Sequence, residues 1–356
     1  MTVRVNKPSF NIREKLSELG RKFGLKGSEL AAAETAQEAR DLVSAGRKNL
    51  VMNGDFRLAQ RGTSGTKGGN GYGGYLSVDR WAVYYDDTVI AQTDVTINGQ
   101  SKKACKVTAA GTNGRAYVYH KIENSSRILG DGTPFSISFW ARANRTEQRQ
   151  VHWRYYDNGT QNNGSNADIT EITIGTDWKH YKIENISLID SNYNATRDGG
   201  LWLFNANGDD IGTGFWFEFT EVQIEIGNNA TDFEYRSYGE ELALCQRYYQ
   251  KIINSAGNSS RTVMLGGYNT TRAFGGLPLS VPMRISPGFT YNNLVLELIN
   301  LSNSFSVTSI GRYGNMGEGG AVMGIEANVS SGLGGGTIYY LTFQGTGSYL
   351  ALDAEL

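Results

Sequence analysis

The stretch from residue 49 to residue 81 separates two parts of the chain whose apolar residues repeat with different periods. Before it, apolar residues recur every three or four positions, which is typical of helices. After it, short runs alternate apolar and polar residues up to the C-terminus, with Gly, Asn and Asp between them. This change of period predicts a helical arm of residues 1–48 followed by a strand-rich body.

The composition agrees with a strand-rich body and excludes some partners. The chain has 45 Gly, 20 Tyr and only 19% charged residues, a balance that favours strands and turns. A net charge of -1 gives no sign of nucleic-acid binding. No apolar run approaches the length of about 18 residues that a membrane-spanning helix needs, and the N-terminus lacks the apolar segment of a signal peptide. We therefore expect a protein made in the cytoplasm and not inserted in a membrane.

The arm carries a narrow apolar stripe. Asn11 and Glu14 form a capping-box pattern that starts a helix. The residues that recur on one face of this helix are Ile12, Leu16, Leu19 and Phe23. A helix this short is marginal alone, so the stripe needs a partner: the strand-rich body, copies of itself around a threefold axis, or another protein. The arm holds ten Lys or Arg against six Asp or Glu, so its formal charge is +4, which suits an acidic partner or an ordinary solvated helix.

The body divides into two parts at residues 237 and 238. Nine strand-like runs between residues 78 and 226, separated by turn residues, predict an antiparallel jelly-roll sandwich over 49–237. Shorter runs after a Gly/Ser break predict a second sandwich within 238–356. The predicted fold is thus mainly β: N-terminal short helices, then a jelly-roll β-sandwich and a second smaller β-sandwich. Between the two, residues 241–251 predict a short helix that passes into a strand.

Alternation within two strand runs separates a core face from an outer face. Phe135, Ile137 and Phe139 share one side of their strand, as Val151 and Trp153 do on the next run. If the two strands are neighbours, their opposite faces expose a common set of residues: Trp140, Arg142, His152, Arg154 and Tyr156. Rings beside Arg and His suit a glycan, and they suit a buried subunit interface as well.

Two loops of the C-terminal part have a different composition from its strands. Residues 266–276 and 311–320 combine Gly with aromatic, Arg and Asn residues, a mixture that favours adaptable binding surfaces. The candidates for receptor contact are Tyr268, Arg272, Phe274, Arg312 and Tyr313. The alternative is that these are ordinary surface loops.

Several segments resemble parts of bacteriophage tail proteins. NLVMNGDF at 49–56, with VDRW at 78–81, resembles the opening of carbohydrate-binding-module-like jelly rolls in such proteins. FEYRSYGEELALCQRYYQK at 233–251 resembles the connector that follows these jelly rolls in tail-fibre and baseplate proteins. TVRVNKPSFNIREKL at 2–16 resembles the N-terminal adaptor of phage, notably cyanophage-like, fibre proteins. The resemblance covers about 250 of the 356 residues.

This resemblance implies an elongated homotrimeric virion component, made in the host cytoplasm. Residues 1–48 would attach it to other tail or baseplate proteins, and the C-terminal part would face a host surface polysaccharide. The resemblance places the Asn-Gly-Asp-Phe segment on the first strand of the jelly roll. It also implies a structural calcium near the strand ends, with Asp55, Asp209 and Asp210 as candidate ligands. A solvated Asp-rich turn is the alternative at 209–210.

Recognisable catalytic chemistry is missing from the sequence. It contains no GxSxG elbow, no P-loop and no HExxH, and its glycine-rich runs lack the context of a nucleotide site. Cys105 and Cys245 are far apart and predict two buried thiols with no disulfide or zinc site. We expect a non-catalytic glycan-binding tail fibre without a cofactor. Two alternatives are a purely structural baseplate or collar adaptor and a polysaccharide depolymerase.

Overall fold

The chain divides into two units, residues 1–48 and residues 49–356. The computed structural model describes residues 48–68, 74–84, 88–110, 117–129, 132–157, 160–187, 198–205, 213–255, 257–314 and 320–355. The apolar stripe of Ile12, Leu16, Leu19 and Phe23 therefore lies outside the described residues. So do Asp209 and Asp210.

Eleven strands and one short helix make up the first part of the described unit. The strands are β1 (Ser64–Lys67), β2 (Ala82–Tyr84), β3 (Thr88–Ile97), β4 (Gln100–Ala109), β5 (Tyr117–Ile122), β6 (Phe135–Ala143), β7 (Glu147–Asp157), β8 (Thr160–Ile174), β9 (Lys179–Ile186), β10 (Asp198–Asn205) and β11 (Trp216–Ile226). The helix is α1 (Ser125–Leu129). The mainly-β prediction, with a sandwich in this part, is confirmed.

The strand order defines the jelly roll. One sheet has the order β1-β3-β4-β11-β6-β9 and the other β2-β5-β10-β7-β8. From β4 to β11 the chain crosses between the sheets at every step except the β7–β8 hairpin, and the ladders are antiparallel. Two four-stranded sheets, β4-β11-β6-β9 and β5-β10-β7-β8, result from this path, as in jelly rolls. The remaining three strands extend the edges.

An aromatic core fills the space between the sheets. Trp81 is fully buried, and its ring centroid lies 5.2 Å from that of Phe56 and 5.5 Å from that of Phe219. The inward faces predicted for β6 and β7 are confirmed, since Phe135, Phe139 and Trp153 are also fully buried. Buried aromatic pairs at these distances add to the stability that comes from area burial alone.

The strand-like runs of the sequence predicted part of β4 but did not predict β3, with which it forms a hairpin. The ladder runs from Thr88 opposite Ala109 to Ile97 opposite Gln100. Asn98 and Gly99 form the turn, with φ of 50° and 78°. Positive φ at both central residues is the type I′ geometry that Asn-Gly favours in two-residue hairpins. The Asn-Gly pair at 98–99 was thus the local signal for this hairpin.

The prediction that the Asn-Gly-Asp-Phe segment lies on a strand is wrong. Asn53 and Phe56 have φ of 53° and 55°, so the backbone turns here. The Asn53 side chain holds the turn by donating to the carbonyls of Leu58 and Asp79, at 2.9 and 3.0 Å. A Cβ at Gly54 would lie 2.2 Å from the Val222 carbonyl oxygen, so only glycine allows this close approach to β11.

A helix and a strand connect the sandwich to the C-terminal part. Helix α2 (Tyr238–Gln246) is capped by Ser237, whose hydroxyl accepts from the Glu240 amide at 3.2 Å. Strand β12 (Tyr249–Ile253) follows it directly. The predicted change from helix to strand is confirmed, and so are the buried free thiols of Cys105 and Cys245. Neither described helix has the length and apolar character needed to cross a membrane.

The C-terminal part, expected to be a second smaller β-sandwich, consists of a closed barrel and an attached three-stranded sheet. Its strands are β13 (Ser260–Gly267), β14 (Arg272–Pro278), β15 (Gly288–Asn292), β16 (Leu294–Leu298), β17 (Ser304–Arg312), β18 (Val322–Val329), β19 (Ile338–Phe343) and β20 (Tyr349–Asp353). The barrel order is β13-β14-β18-β17-β16-β19, and β12-β20-β15 forms the second sheet. Leu350 and Leu352 of β20 belong to the same hydrophobic core as Leu265 and Leu341 of the barrel. The predicted boundary at 237 and 238 stays a prediction.

A buried arginine ties the connector to the start of the sandwich. Arg236 donates to the carbonyls of Val51, at 3.0 Å, and Asn49. The same guanidinium pairs with Glu241, whose carboxylate also accepts from the Asn53 amide at 2.6 Å. These side chains are almost completely buried. The segments 49–56 and 233–251, singled out by resemblance, therefore meet in one hydrogen-bond network.

A second ion cluster joins the sandwich to the C-terminal strand. Glu355 pairs with Arg80 and with Arg61, the latter at 3.2 Å. Arg80 is fully buried and lies 3.5 Å from the centroid of the Tyr248 ring. Arg61 lies 3.6 Å from the centroid of the Tyr249 ring. The two adjacent tyrosines of the connector thus each cover one arginine of the sandwich.

Asp79, beside this cluster, predicts a pH dependence of stability. Burial raises the pKa of Asp79 from its usual 3.8 to about 6, although Gln60 donates two hydrogen bonds to it and Arg61 lies nearby. A carboxyl whose pKa is higher in the folded state costs stability as it ionises. As the pH rises from about 4 to about 6, Asp79 ionises in the folded protein. The free energy of unfolding of the wild type should therefore fall relative to that of Asp79→Asn. Urea denaturation of both proteins across this range measures the difference, and parallel curves would contradict it.

Candidate functional site

Three aromatic rings form an exposed cluster on the outside of the barrel. The ring centroids of Phe274 and Tyr313 are 4.0 Å apart, and the rings are nearly parallel, with an interplanar angle of 22°. The ring centroids of Tyr268 and Phe274 are 5.3 Å apart, and these two rings are tilted by 44°. Tyr268 is 63% exposed and Tyr313 is 42% exposed. We call these three rings the aromatic platform.

Backbone hydrogen bonds hold the platform in place. The Asn269 side-chain oxygen accepts from the amides of Thr271 and Arg272, each at 2.9 Å, which closes the turn between β13 and β14. The Tyr268 amide donates to the Arg272 carbonyl at 2.8 Å, and the Tyr313 amide donates to the Gly324 carbonyl at 2.9 Å. The platform is therefore built on a tight hairpin and a fixed strand end.

An arginine and a glutamate stand beside the rings. The Arg272 guanidinium lies 5.3 Å from the Tyr268 ring centroid and 5.7 Å from that of Phe274. Its Nη1 is 3.6 Å from Oε2 of Glu326, which lies opposite Phe274 on β18. Both charged side chains are partly exposed. The cluster offers flat apolar faces together with a hydrogen-bond donor and an acceptor.

Four of the five loop candidates of the C-terminal part come together in this cluster. The fifth, Arg312, does not belong to it. Arg312 lies opposite Ile325 in the β17–β18 ladder, and Ile325 is fully buried in the barrel core. Because register partners point to the same side of a sheet, the Arg312 side chain leaves its strand on the core side of the barrel wall, away from the platform. The sequence reasoning also missed Glu326, which nothing near it in the chain distinguishes from a solvated residue.

The expected common surface of Trp140, Arg142, His152, Arg154 and Tyr156 does not exist. Strand β6 belongs to the six-stranded sheet and β7 to the five-stranded one. Their outer faces are therefore on opposite sides of the sandwich. Trp140 and Arg142 are partly exposed, whereas His152 and Arg154 are buried at 5% and 9% exposure. Tyr156 lies opposite Asp198 and Gln161 on the five-stranded sheet.

Trp140 and Arg142 belong to a larger aromatic and cationic group on the six-stranded sheet. Trp140 stacks on His180, with ring centroids 4.9 Å apart. Arg142 pairs with Glu218 at 2.7 Å, and its guanidinium lies 5.0 Å from the Trp178 ring. It also lies 5.7 Å from the Trp216 ring, where Lys106 approaches to 4.2 Å. These rings are half-buried, whereas two of the three platform rings are exposed.

The five-stranded sheet carries a similar group of aromatic rings with an arginine, but this group is buried. The rings of Tyr119 and Trp202 stack at 4.7 Å, and the Arg154 guanidinium lies 4.2 Å from the Trp202 ring. Trp202 is fully buried and Tyr119 is 5% exposed. His152 contacts the Gln150 side chain at 2.9 Å. In this conformation the group packs as a satellite core.

The calcium candidates gain no support from the described residues. Asp55 forms an ion pair with Arg57, and burial raises the pKa of this carboxyl despite the pair. Within the described part of the chain, no three His, Cys, Asp or Glu side chains lie close enough together to hold a metal ion. The role of Asp209 and Asp210 stays a prediction.

No protein-family model matches the sequence, and no curated protein matches it. The structure is similar to solved carbohydrate-binding modules. These include a family 11 module from Clostridium thermocellum in complex with a beta-1,3-1,4-mixed-linked tetrasaccharide, at 14% identity over 48% of this chain and 98% of that one, with a TM-score of 0.27.

Two further similar structures are family 22 modules. The C-terminal module of Clostridium thermocellum Xyn10B is 13% identical over 50% of this chain and 98% of that one, with a TM-score of 0.31. A xylan-binding domain from Paenibacillus barcinonensis Xyn10C is 15% identical over 42% and 92%, with a TM-score of 0.31. The jelly-roll assignment rests on the strand order of the two sheets.

Proposed function

We propose that this chain is a non-catalytic phage tail-fibre protein that binds a host surface glycan through the aromatic platform. The observation that carries the proposal is the exposed cluster of the Tyr268, Phe274 and Tyr313 rings, with Arg272 and Glu326 beside it. Contiguous exposed apolar surface often marks a binding site.

The chemistry of the platform suits a sugar ring. The C–H face of a pyranose is apolar and flat, so it packs on an aromatic ring and leaves its hydroxyls at the edge. Arg272 can donate to these hydroxyls, and Glu326 can accept from them. Because the turn at Asn269 already holds the hairpin, binding orders little additional chain, which favours affinity.

The tail-fibre setting rests on the resemblance of residues 2–16, 49–56 and 233–251 to phage tail proteins. In this proposal, residues 1–48 attach the protein to other tail or baseplate proteins in the virion. The protein is a homotrimer, and the barrel faces the host polysaccharide. The apolar stripe of the arm supplies either the tail contact or the trimer contact.

A direct test is to screen the full-length chain against immobilised host polysaccharides. We expect binding to at least one of them, competed by the same polysaccharide in solution, and adsorption of the protein to intact cells that the soluble polysaccharide blocks. Light scattering should give the mass of a trimer. Absence of both glycan and cell binding from a folded trimer would refute the adhesive role.

The six-stranded sheet favours a second candidate function, a purely structural baseplate or collar adaptor. Its half-buried Trp140, Trp178 and Trp216 form a face that a neighbouring subunit could cover.

For this adaptor, replacing Trp178 and Trp216 together by alanine should weaken self-association at least tenfold, since two large apolar contacts are lost. Sedimentation of the full-length double variant over a concentration series measures this. The same trimer at all concentrations would contradict the interface and leave the adhesive role unaffected.

A further inference from the structure

An open strip of strand surface continues from the platform across the barrel. Phe274, Gly266 and Ile338 lie side by side in register on β14, β13 and β19. A Cβ placed on Gly266 would meet only one atom within 4 Å, the Phe274 carbonyl oxygen at 3.9 Å. The space above Gly266 is therefore free, and Phe274 and Ile338 stand on either side of it.

The walls of this space are apolar and uncovered. Ile338 is 45% exposed, and Met264, which faces the same side two residues before Gly266, is 55% exposed. Tyr340 lies opposite Met264 on β19. The charged groups on this face lie beyond these walls: Glu326 is opposite Phe274 on β18, and Glu297, paired with Arg261 at 2.8 Å, is opposite Tyr340 on β16. The depression is thus lined by apolar and aromatic side chains and offers contact to an apolar group.

We propose that the depression over Gly266 is a specificity subsite of the platform, which takes a methyl-bearing group of the bound saccharide. Such groups are the methyl of a 6-deoxy sugar and the methyl of an O- or N-acetyl substituent. The proposal rests on glycan binding by the platform. A sugar bound to the platform beside Phe274 would place a substituent at its edge over Gly266, because Phe274 and Gly266 are register partners.

Paired saccharides that differ in one methyl-bearing group test the subsite. Suitable pairs are a D-fucoside against the matching D-galactoside, and a polysaccharide before and after alkaline deacetylation. We expect the full-length wild type to prefer the methyl-bearing member by about fourfold, the scale of one buried methyl group. Gly266→Thr should abolish the preference, since its branched side chain fills the depression and suits a strand.

Gly288→Thr is the matched control. Gly288 is an exposed strand glycine of β15, where a Cβ would meet only the Asp353 carbonyl oxygen, at 3.8 Å. This variant should keep the wild-type preference. Ile338→Thr keeps a residue that suits a strand but removes one apolar wall of the depression, so it should reduce the preference for the methyl-bearing saccharide. This variant replaces Gly266→Thr as the test if Gly266→Thr folds poorly.

The outcomes separate the subsite from the platform. Glycan binding without a methyl preference in the wild type, or an unchanged preference in Gly266→Thr and Ile338→Thr, would overturn the subsite and leave the platform standing. No glycan binding by the wild type would refute the proposed function instead. A lower oligomer mass for Met264→Thr in light scattering would identify the strip as a contact between copies, which also overturns the proposal.

Discussion

Replacing Tyr268 and Phe274 together by alanine is expected to lower the glycan affinity of the full-length chain about thirtyfold. Two stacked rings cover roughly 80 Å² of apolar sugar surface, which at about 25 cal/mol per Å² is worth about 2 kcal/mol. Isothermal titration with the best glycan from the screen measures this loss. Tyr268→Phe should bind nearly as well as the wild type, since the ring face is kept.

Tyr238→Ala is the matched control for the platform variant. Tyr238 begins helix α2 and is 58% exposed, close to the 63% of Tyr268, but it lies outside the barrel. This variant should bind like the wild type. Equal affinities for the double variant and the control would place glycan binding elsewhere on the chain. The melting temperature of each variant should stay close to that of the wild type, because the rings are partly exposed.

Arg236→Ala is expected to cause the largest loss of stability, about 3–5 kcal/mol. The substitution leaves the carboxylate of Glu241 buried without its cation, and it removes a donor from the carbonyls of Asn49 and Val51. Breaking one side of a buried ion pair costs this much because the remaining charge stays desolvated. Urea denaturation of the full-length chain, followed by tryptophan fluorescence, measures the change.

Arg247→Ala is the control for the buried pair. Arg247 pairs with Glu123 at 3.4 Å, but its side chain is 45% exposed, so water screens the pair. Removing an exposed pair of this kind costs at most about 1 kcal/mol. Similar denaturation midpoints for Arg236→Ala and Arg247→Ala would show that the Arg236 network contributes little to the junction between connector and sandwich.

Local patterns were enough to predict much of the fold. The inward faces of β6 and β7 follow from strict alternation, because successive side chains of a strand point to opposite sides. The thiols of Cys105 and Cys245 were predicted to be buried because neither has a cysteine partner or a ligand pattern near it, and both are buried. The turn at Asn53 and Gly54 was placed on a strand instead, because its backbone conformation depends on the approach of Val222 from a distant strand.

The candidate sites depended on contacts that local patterns do not contain. Three barrel strands lie between Tyr268 and Tyr313 in the chain, and the pairing of β14 and of β17 with β18 brings both rings onto Phe274. Conversely, β6 and β7 are consecutive in the chain, but the jelly-roll path sends them to different sheets and separates Arg142 from Arg154.

The sequence by itself determined where helical periodicity ends, which face of each strand is apolar, and which loops are rich in aromatic residues and arginine. These are local properties, set by side-chain chemistry and the two-residue period of a strand. Only the tertiary structure decided which strands are neighbours, and so which rings and charges share a surface. Strand neighbours are chosen by long-range pairing and packing, and the order of strands in a sheet is not their order in the chain.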